Sequence, residues 1–485
     1  MKKTVSSLII AGLIVNAVPT ILPINTASAA KITTAAKIKT TANAKIVAGQ
    51  KNINLNGVNG KLSSIVYKGK TLYSVKEIAA AFKVKYFYDK KSTSYKLSGN
   101  GKTISFKQND SFMLNGNKKV SLYAPVTSYK NQMYIHLDPV VLGLDGDYIY
   151  NASSQSWYIS TNKLVKGSAS DAKWIDGSRV MFMNEVGEDG STYLMDVQKK
   201  SFKQFNTTEM SVSPDGKQAV YTDENDMLML ADLVNGTTRQ LNSDNDAYKA
   251  NFIWSADGSK VFFLQGDTSA IISSVSIIDG TITKILDDKK DYKSDLRVSQ
   301  DGKKLVYTLG NTAVTKYTDD AKTDVSDIDT TNTDPQLFLA DLTASTLAPV
   351  AITASTENKN FASILADGSV IYLGDNTEDE NKLPVLYKIS SDGKTASTLV
   401  DDKEINSVQV SAQGNIFILV EEQDGSSGIY QLNGTSLVKK ATFKDTISTF
   451  SVSPDETKFA LTVSNDNGDH IEIFKNGNSD RLTKN

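Results

Sequence analysis

The chain has no cysteine in its 485 residues. That excludes disulfides, thiolate metal sites and a cysteine nucleophile, and it leaves no residue for the lipid of a bacterial lipoprotein. Histidine is nearly as scarce, with only His136 and His470, and they fall in different parts of the sequence. A Ser-His-Asp triad would have to use His470, in Asp469-His470-Ile471, yet no G-x-S-x-G elbow is present. H-E-x-x-H, a P-loop and a G-x-G-x-x-G in a βαβ setting are also missing. An excess of one charge is lacking too: Lys+Arg total 53 and Asp+Glu 55, a net −2. Nothing in that balance points to nucleic acid as a partner.

Long apolar runs are limited to one. Lys2 and Lys3 precede an apolar stretch from Leu8 to Leu22, broken by Asn16 and Pro19 and followed by Ala27-Ser28-Ala29. This reads as a signal peptide over residues 1–29, with Pro19 and Pro23 disfavouring a spanning helix. The expected destination is secreted or loosely cell-wall associated, with no stable membrane span after signal removal. Residues 30–50 are rich in Thr, Ala and Lys without an apolar face, and are expected to form a flexible leader.

What is present is repetition. Residues 51–161 hold a gapless internal duplication that sets Leu72 on Tyr134, Tyr88 on Tyr150 and Tyr95 on Trp157. Each copy passes from a turn to a short strand, a short helix and two strands of alternating polarity. The Gly69-Lys70-Thr71-Leu72 turn, the Val75-Lys76-Glu77-Ile78-Ala79-Ala80-Ala81-Phe82 helix and the Tyr88-Asp89 turn resemble the copper amine oxidase N-terminal-like domain of exported Gram-positive proteins. That name does not imply copper, which needs imidazole or thiolate ligands; this region offers His136 alone.

From about residue 171 to 485 a second motif recurs: Trp174-Ile175-Asp176-Gly177, Val212-Ser213-Pro214-Asp215-Gly216, Trp254-Ser255-Ala256-Asp257-Gly258, Val298-Ser299-Gln300-Asp301-Gly302, Leu365-Ala366-Asp367-Gly368, Val410-Ser411-Ala412-Gln413-Gly414 and Val452-Ser453-Pro454-Asp455-Glu456. Asp-Gly suits the positive φ of a tight hairpin, and a buried strand follows each turn. One blade cannot bury both faces of its sheet, so neighbours must stack around an axis. The cadence resembles TolB-like and WD40-like β-propeller repeats. Seven units are counted, where the TolB-like family usually has six. The fold class expected is mainly β: a small α+β duplicated domain, then a propeller.

Two acidic inserts break the repeat: residues 311–335, with Asp319, Asp320, Asp324, Asp327 and Asp329, and the run Asp375-Asn376-Thr377-Glu378-Asp379-Glu380. Neither matches a calcium loop, and both read as solvated acidic loops. No catalytic, cofactor or metal residue is assigned, and no cofactor is expected. The leading expectation is a non-catalytic binding or scaffold protein of the envelope, not an enzyme, whose partner is an envelope protein, a peptide or a cell-wall glycan. The alternative is a secreted carboxylate-dependent hydrolase or lyase acting on a polysaccharide.

Overall fold

The computed structural model describes residues 45–485 apart from 100, 152–154, 186–189, 208, 243–246, 311–313, 318–324, 330–332, 377–378, 380, 466–467 and 485. The expected signal peptide and most of the expected leader lie outside these residues. The leader ends sooner than its composition suggests: a strand opens at Val47 and pairs with Val58–Tyr67, Val47 facing Val66. Its first six residues are exposed, which is why no apolar pattern announces it.

Both copies of the duplication form the predicted helix, α1 at Val75–Ala81 and α2 at Leu137–Gly143. Ser74 caps α1, its side chain accepting a bond from the Glu77 amide. His136 holds the same position before α2 and makes no such bond. The strands entering the helices, Lys70–Ser74 and Gln132–Ile135, pair with each other, Tyr134 facing Ser74. The closing hairpins part company. Lys85–Asp89 and Ser94–Gly99 join a five-stranded sheet, whereas their counterparts Asp147–Asn151 and Ser156–Ser160 edge the seven-stranded one. One core, including Ile78, Leu97, Ile104, Met113, Ile135 and Val140, fills the space between sheets and helices.

Among the described residues, the chain from Ser168 onward forms seven four-stranded antiparallel sheets, each an up-and-down meander. Apolar clusters between successive sheets, such as Val220, Trp254, Val261 and Phe263, bury both faces of each blade. The first strands line up around the axis. The ring closes where Ser168–Trp174 meets Thr446–Val452 and the Trp174 amide donates to Ser451 Oγ at 3.1 Å. The seventh sheet is complete by itself, from Thr446 to Arg481, and Val165–Lys166 instead clasps Thr483–Lys484 in a parallel pair. The same C-terminal segment docks the small domain. Tyr158 Oη donates to Asp480 Oδ1 at 2.8 Å and accepts from the Arg481 amide at 2.9 Å, and Lys484 pairs with the buried Asp147.

Local chemistry explains the recurring turn. In Ser213-Pro214-Asp215-Gly216 the serine hydroxyl donates to Asp215 Oδ1 at 2.7 Å and accepts the Gln218 amide, while the carboxylate accepts the Lys217 amide. Ser255–Asp257, Ser299–Asp301 and Ser453–Asp455 repeat the bond at 2.6 Å. Gly216 and Gly302 take the left-handed backbone, φ 71° and 70°, where a Cβ is disfavoured. The first unit departs from this: Gly177 is not left-handed. Asp176 forms that turn alone, accepting the Ser178 and Arg179 amides.

Candidate functional site

Strand order divides the loops between two faces. Turns between first and second strands lie on one face, and they are short and alike. Loops from second to third strands, and crossings to the next blade, lie on the other, and here the repeat breaks down. Both acidic inserts are of the second kind, between Lys304–Leu309 and Gln336–Asp341 and between Val370–Asp375 and Val385–Ile389. The first contains a hairpin of its own, Val314–Tyr317 with Val325–Asp329. Asp319, Asp320, Asp324, Glu378 and Glu380 lie outside the described residues, and among the described residues no group of three His, Asp or Glu could hold a metal ion.

On this loop face, blades five and six carry matching side-chain clusters. In blade five Tyr387 Oη donates to Glu357 Oε1 at 3.2 Å, Ser355 Oγ donates to Glu357 Oε2 at 3.0 Å, and Lys382 Nζ stands 3.7 Å from Oε1. In blade six Tyr430 Oη donates to Glu422 Oε1 at 2.5 Å and Lys439 Nζ pairs with it at 2.8 Å. The Glu357 and Glu422 side chains are 12% and 20% exposed, so they are largely shielded yet still open to solvent. Lys439, then Tyr430, hold the Glu422 carboxyl below its ordinary range. Burial, with the neighbouring glutamate, raises the hydroxyls of Tyr387 and Tyr430. The blade-six cluster therefore sets an anionic acceptor beside a retained phenolic proton, and the blade-five cluster places a second carboxyl group beside a second phenol. Tyr372, beside Glu357 and Tyr387, is pushed up to about 12, chiefly by burial.

Sequence reasoning missed both clusters, although two glycines signal them. Gly374 and Gly428 stand inside strands, where glycine marks close approach rather than a turn. A Cβ at Gly374 would lie 2.7 Å from the Tyr387 ring and 3.0 Å from Glu357 Oε2, and one at Gly428 would lie 2.6 Å from Glu422 Oε1.

The mouth of the axis on the same face is aromatic. Tyr248 and Tyr292, both 48% exposed, head the innermost strands of blades three and four, and Phe361, 40% exposed, lies in that of blade five. The neighbouring Lys249, Lys293 and Lys359 are buried. Lys249 Nζ donates to the Ala247 carbonyl and Lys293 Nζ to the Ala270 carbonyl, while Lys359 reaches those of Ser355 and Glu357. Such ammonium groups gather loop carbonyls and set the loops carrying the tyrosines and Glu357. Phe361 sits at a bulge with φ 56°, a conformation strained for an aromatic residue and typical of places where a side chain is re-aimed.

The two histidines stay apart. His470 is buried in the last blade between Asn465 Nδ2 at 3.2 Å and Glu472 Oε1 at 3.1 Å, and His136 stands at the head of α2. A cleft of about 760 Å³ lies at the outer strands of blades one and two beside Lys203, Asp223 and Glu224. It contains neither glutamate–tyrosine pair.

Residues 52–159 match the copper amine oxidase N-terminal domain family. No curated protein matches the chain in sequence. Among solved structures it is similar to a puromycin-hydrolyzing peptidase of Mycobacterium tuberculosis, with 11% identity and TM-score 0.49 over 65% of this chain and 53% of that one. It is also similar to the β-propeller domain of the Trilobed protease from Pyrococcus furiosus (14%, TM-score 0.47, 66% and 98%). A third is oligogalacturonate lyase from Vibrio parahaemolyticus (13%, TM-score 0.49, 68% and 96%). The chain spans about half the length of the peptidase. The expectation that this protein is not an enzyme is withdrawn: the solved structures it matches include hydrolases and a lyase, so the fold gives no ground for it. The absence of a histidine-based constellation weighed toward binding in the sequence, whereas the carboxylate-dependent alternative needs no histidine. At such identities, the likeness concerns the fold, and those activities belong to those proteins.

Proposed function

We propose that the chain is an exported, carboxylate-dependent hydrolase or lyase that acts on a polysaccharide across the loop face of a TolB-like propeller. The observation that carries this reading is the pair of clusters Glu357–Tyr387–Lys382 and Glu422–Tyr430–Lys439 on adjacent blades. Glycan cleavage needs one group to accept a proton, from water in hydrolysis or from carbon in elimination. It needs another to protonate the departing oxygen. Glu422, held ionised, suits the first task, and the tyrosine hydroxyls, held protonated, suit the second. Tyr248, Tyr292 and Phe361 supply broad apolar surfaces on which sugar rings stack. The leader at residues 1–29 supports export.

The test is incubation of the mature chain with pectin, a neutral β-glucan and bacterial cell-wall polymer. New reducing ends are measured in all three, and absorbance of a new C=C bond identifies elimination. Turnover of one polymer that is lost in Glu357→Gln and Glu422→Gln supports the proposal. Turnover of none, or turnover indifferent to both changes, overturns it.

A further inference from the structure

The small domain has an aromatic pocket of its own, about 230 Å³, at the head of α2. Trp157 Nε1 donates to Tyr73 Oη at 2.8 Å, so the Tyr73 oxygen is engaged as an acceptor while its own proton stays available. Burial raises this hydroxyl above its ordinary value, which keeps the proton in place at neutral pH. The Tyr150 ring, 50% exposed, leans on Trp157 with centroids 4.8 Å apart and planes at 53°. His136 lines the same pocket, and its Nε2 is shielded from solvent without a hydrogen-bond partner. On its other side Nδ1 is 3.7 Å from Asp138 Oδ1, too far for a good hydrogen bond. A buried nitrogen left unpaired is costly, and a ligand group that pairs with it recovers that cost. Lys51 and Asp138 both line the pocket, so their charges oppose each other. Lys51 repels a quaternary ammonium that the aromatic rings would otherwise attract, and Asp138 repels a carboxylate.

We propose that this pocket binds one residue of a neutral sugar chain. The ring stacks on Tyr150 and Trp157, and its hydroxyls pair with His136 Nε2, the Tyr73 hydroxyl and the Asp138 carboxylate. The site is independent of the propeller clusters and would hold a glycan to the protein whatever those clusters do.

The test is calorimetric titration of the full mature chain with cellohexaose and chitohexaose, with choline chloride and tetragalacturonate as charged probes. At least one neutral hexasaccharide is expected to bind saturably. Affinity should fall about tenfold in Tyr150→Ala and in His136→Gln. Tyr150→Ala removes a half-exposed ring and serves if His136→Gln fails to fold. Ile278→Ala, at an exposed turn of the propeller away from both the loop face and this pocket, should leave the affinity unchanged. The proposal is overturned if neither neutral hexasaccharide binds, if only a charged probe binds, or if Tyr150→Ala binds as tightly as the parent.

Discussion

The two faces of the propeller are made from the same seven sheets and follow opposite rules. On the turn face blades two, three, four and seven repeat one device, a serine hydroxyl and an aspartate carboxylate locking a hairpin. On the loop face the connections differ from blade to blade. Exposed aromatics occur there in blades three to five, and the glutamate–tyrosine clusters in blades five and six. Uniformity on one side reflects a shared folding problem, since each of these hairpins must reverse within a few residues and satisfy its own amides. Variation on the other side shows that those loops are free of that constraint and available for chemistry.

The comparison is sharpest where a change should affect one property and spare the other. Glu357→Gln and Glu422→Gln on the loop face should lower polysaccharide turnover by about 10²–10⁴-fold, the usual worth of a positioned proton-transfer group. Unfolding midpoints should barely move, as each glutamate retains some exposure to solvent. A large loss of stability with activity retained would make the clusters structural pins.

Acid should strike the turn face. Asp257, Asp367 and Asp455 are each lowered from 3.8 to about 2, with the serine hydroxyl bond as the leading cause. Asp215 and Asp301 move the same way, again led by serine. A carboxyl depressed in the folded state stabilises it at pH above the unfolded value, and that contribution is lost as pH falls through the folded one. The urea midpoint should therefore hold steady above about pH 5 and decline as pH drops from 3.8 toward about 2. A midpoint unchanged over that window would break the account of the turn.

A smaller effect is expected from Gly302→Ala. Nothing lies within 4 Å of a Cβ placed there, so only the left-handed backbone, φ 70°, opposes the change. The cost should be about 1–2 kcal/mol, measured by urea unfolding, with no change in turnover.

These faces were unequally legible in the sequence, and the reason is range. The Ser-x-Asp-Gly device closes within a few residues, so its recurrence can be read directly along the chain. Glu357 meets Tyr387 only after the second strand of the blade has been laid between them, with Gly374 leaving room for the contact. In Glu422-Gln423-Asp424-Gly425 the aspartate shapes the turn, bonding Ser426, while the functional candidate is its inconspicuous neighbour. The small domain shows the same limit. Its duplication kept the spacing of both copies but could not tell that one closing hairpin would join the five-stranded sheet and the other the seven-stranded one.

The finest test lies where two turns of the uniform face lose the pattern together. Blade six has Ser411-Ala412-Gln413-Gly414, without the aspartate, and blade seven has Glu456 at the position where blade two has Gly216 and blade four Gly302. Glu456 accepts the left-handed backbone, φ 55°, and reaches across to the preceding blade. Its Oε1 receives the Ser411 hydroxyl at 2.5 Å, and Asn415 Nδ2 donates to both carboxylate oxygens. One blade thus lends its neighbour the missing acceptor at the expense of backbone strain. Glu456→Gly relieves about 1–2 kcal/mol of strain and forfeits charge-assisted bonding of about 1.5–3 kcal/mol, so alone its effect should lie between a gain of about 0.5 and a loss of about 2 kcal/mol. Gln413→Asp restores the local acceptor, and with it in place Glu456→Gly should become stabilising. A double-mutant cycle read by urea unfolding should show coupling of about 1 kcal/mol or more. Additive behaviour would mean that each blade satisfies its own turn and that the loan across the seam does not exist.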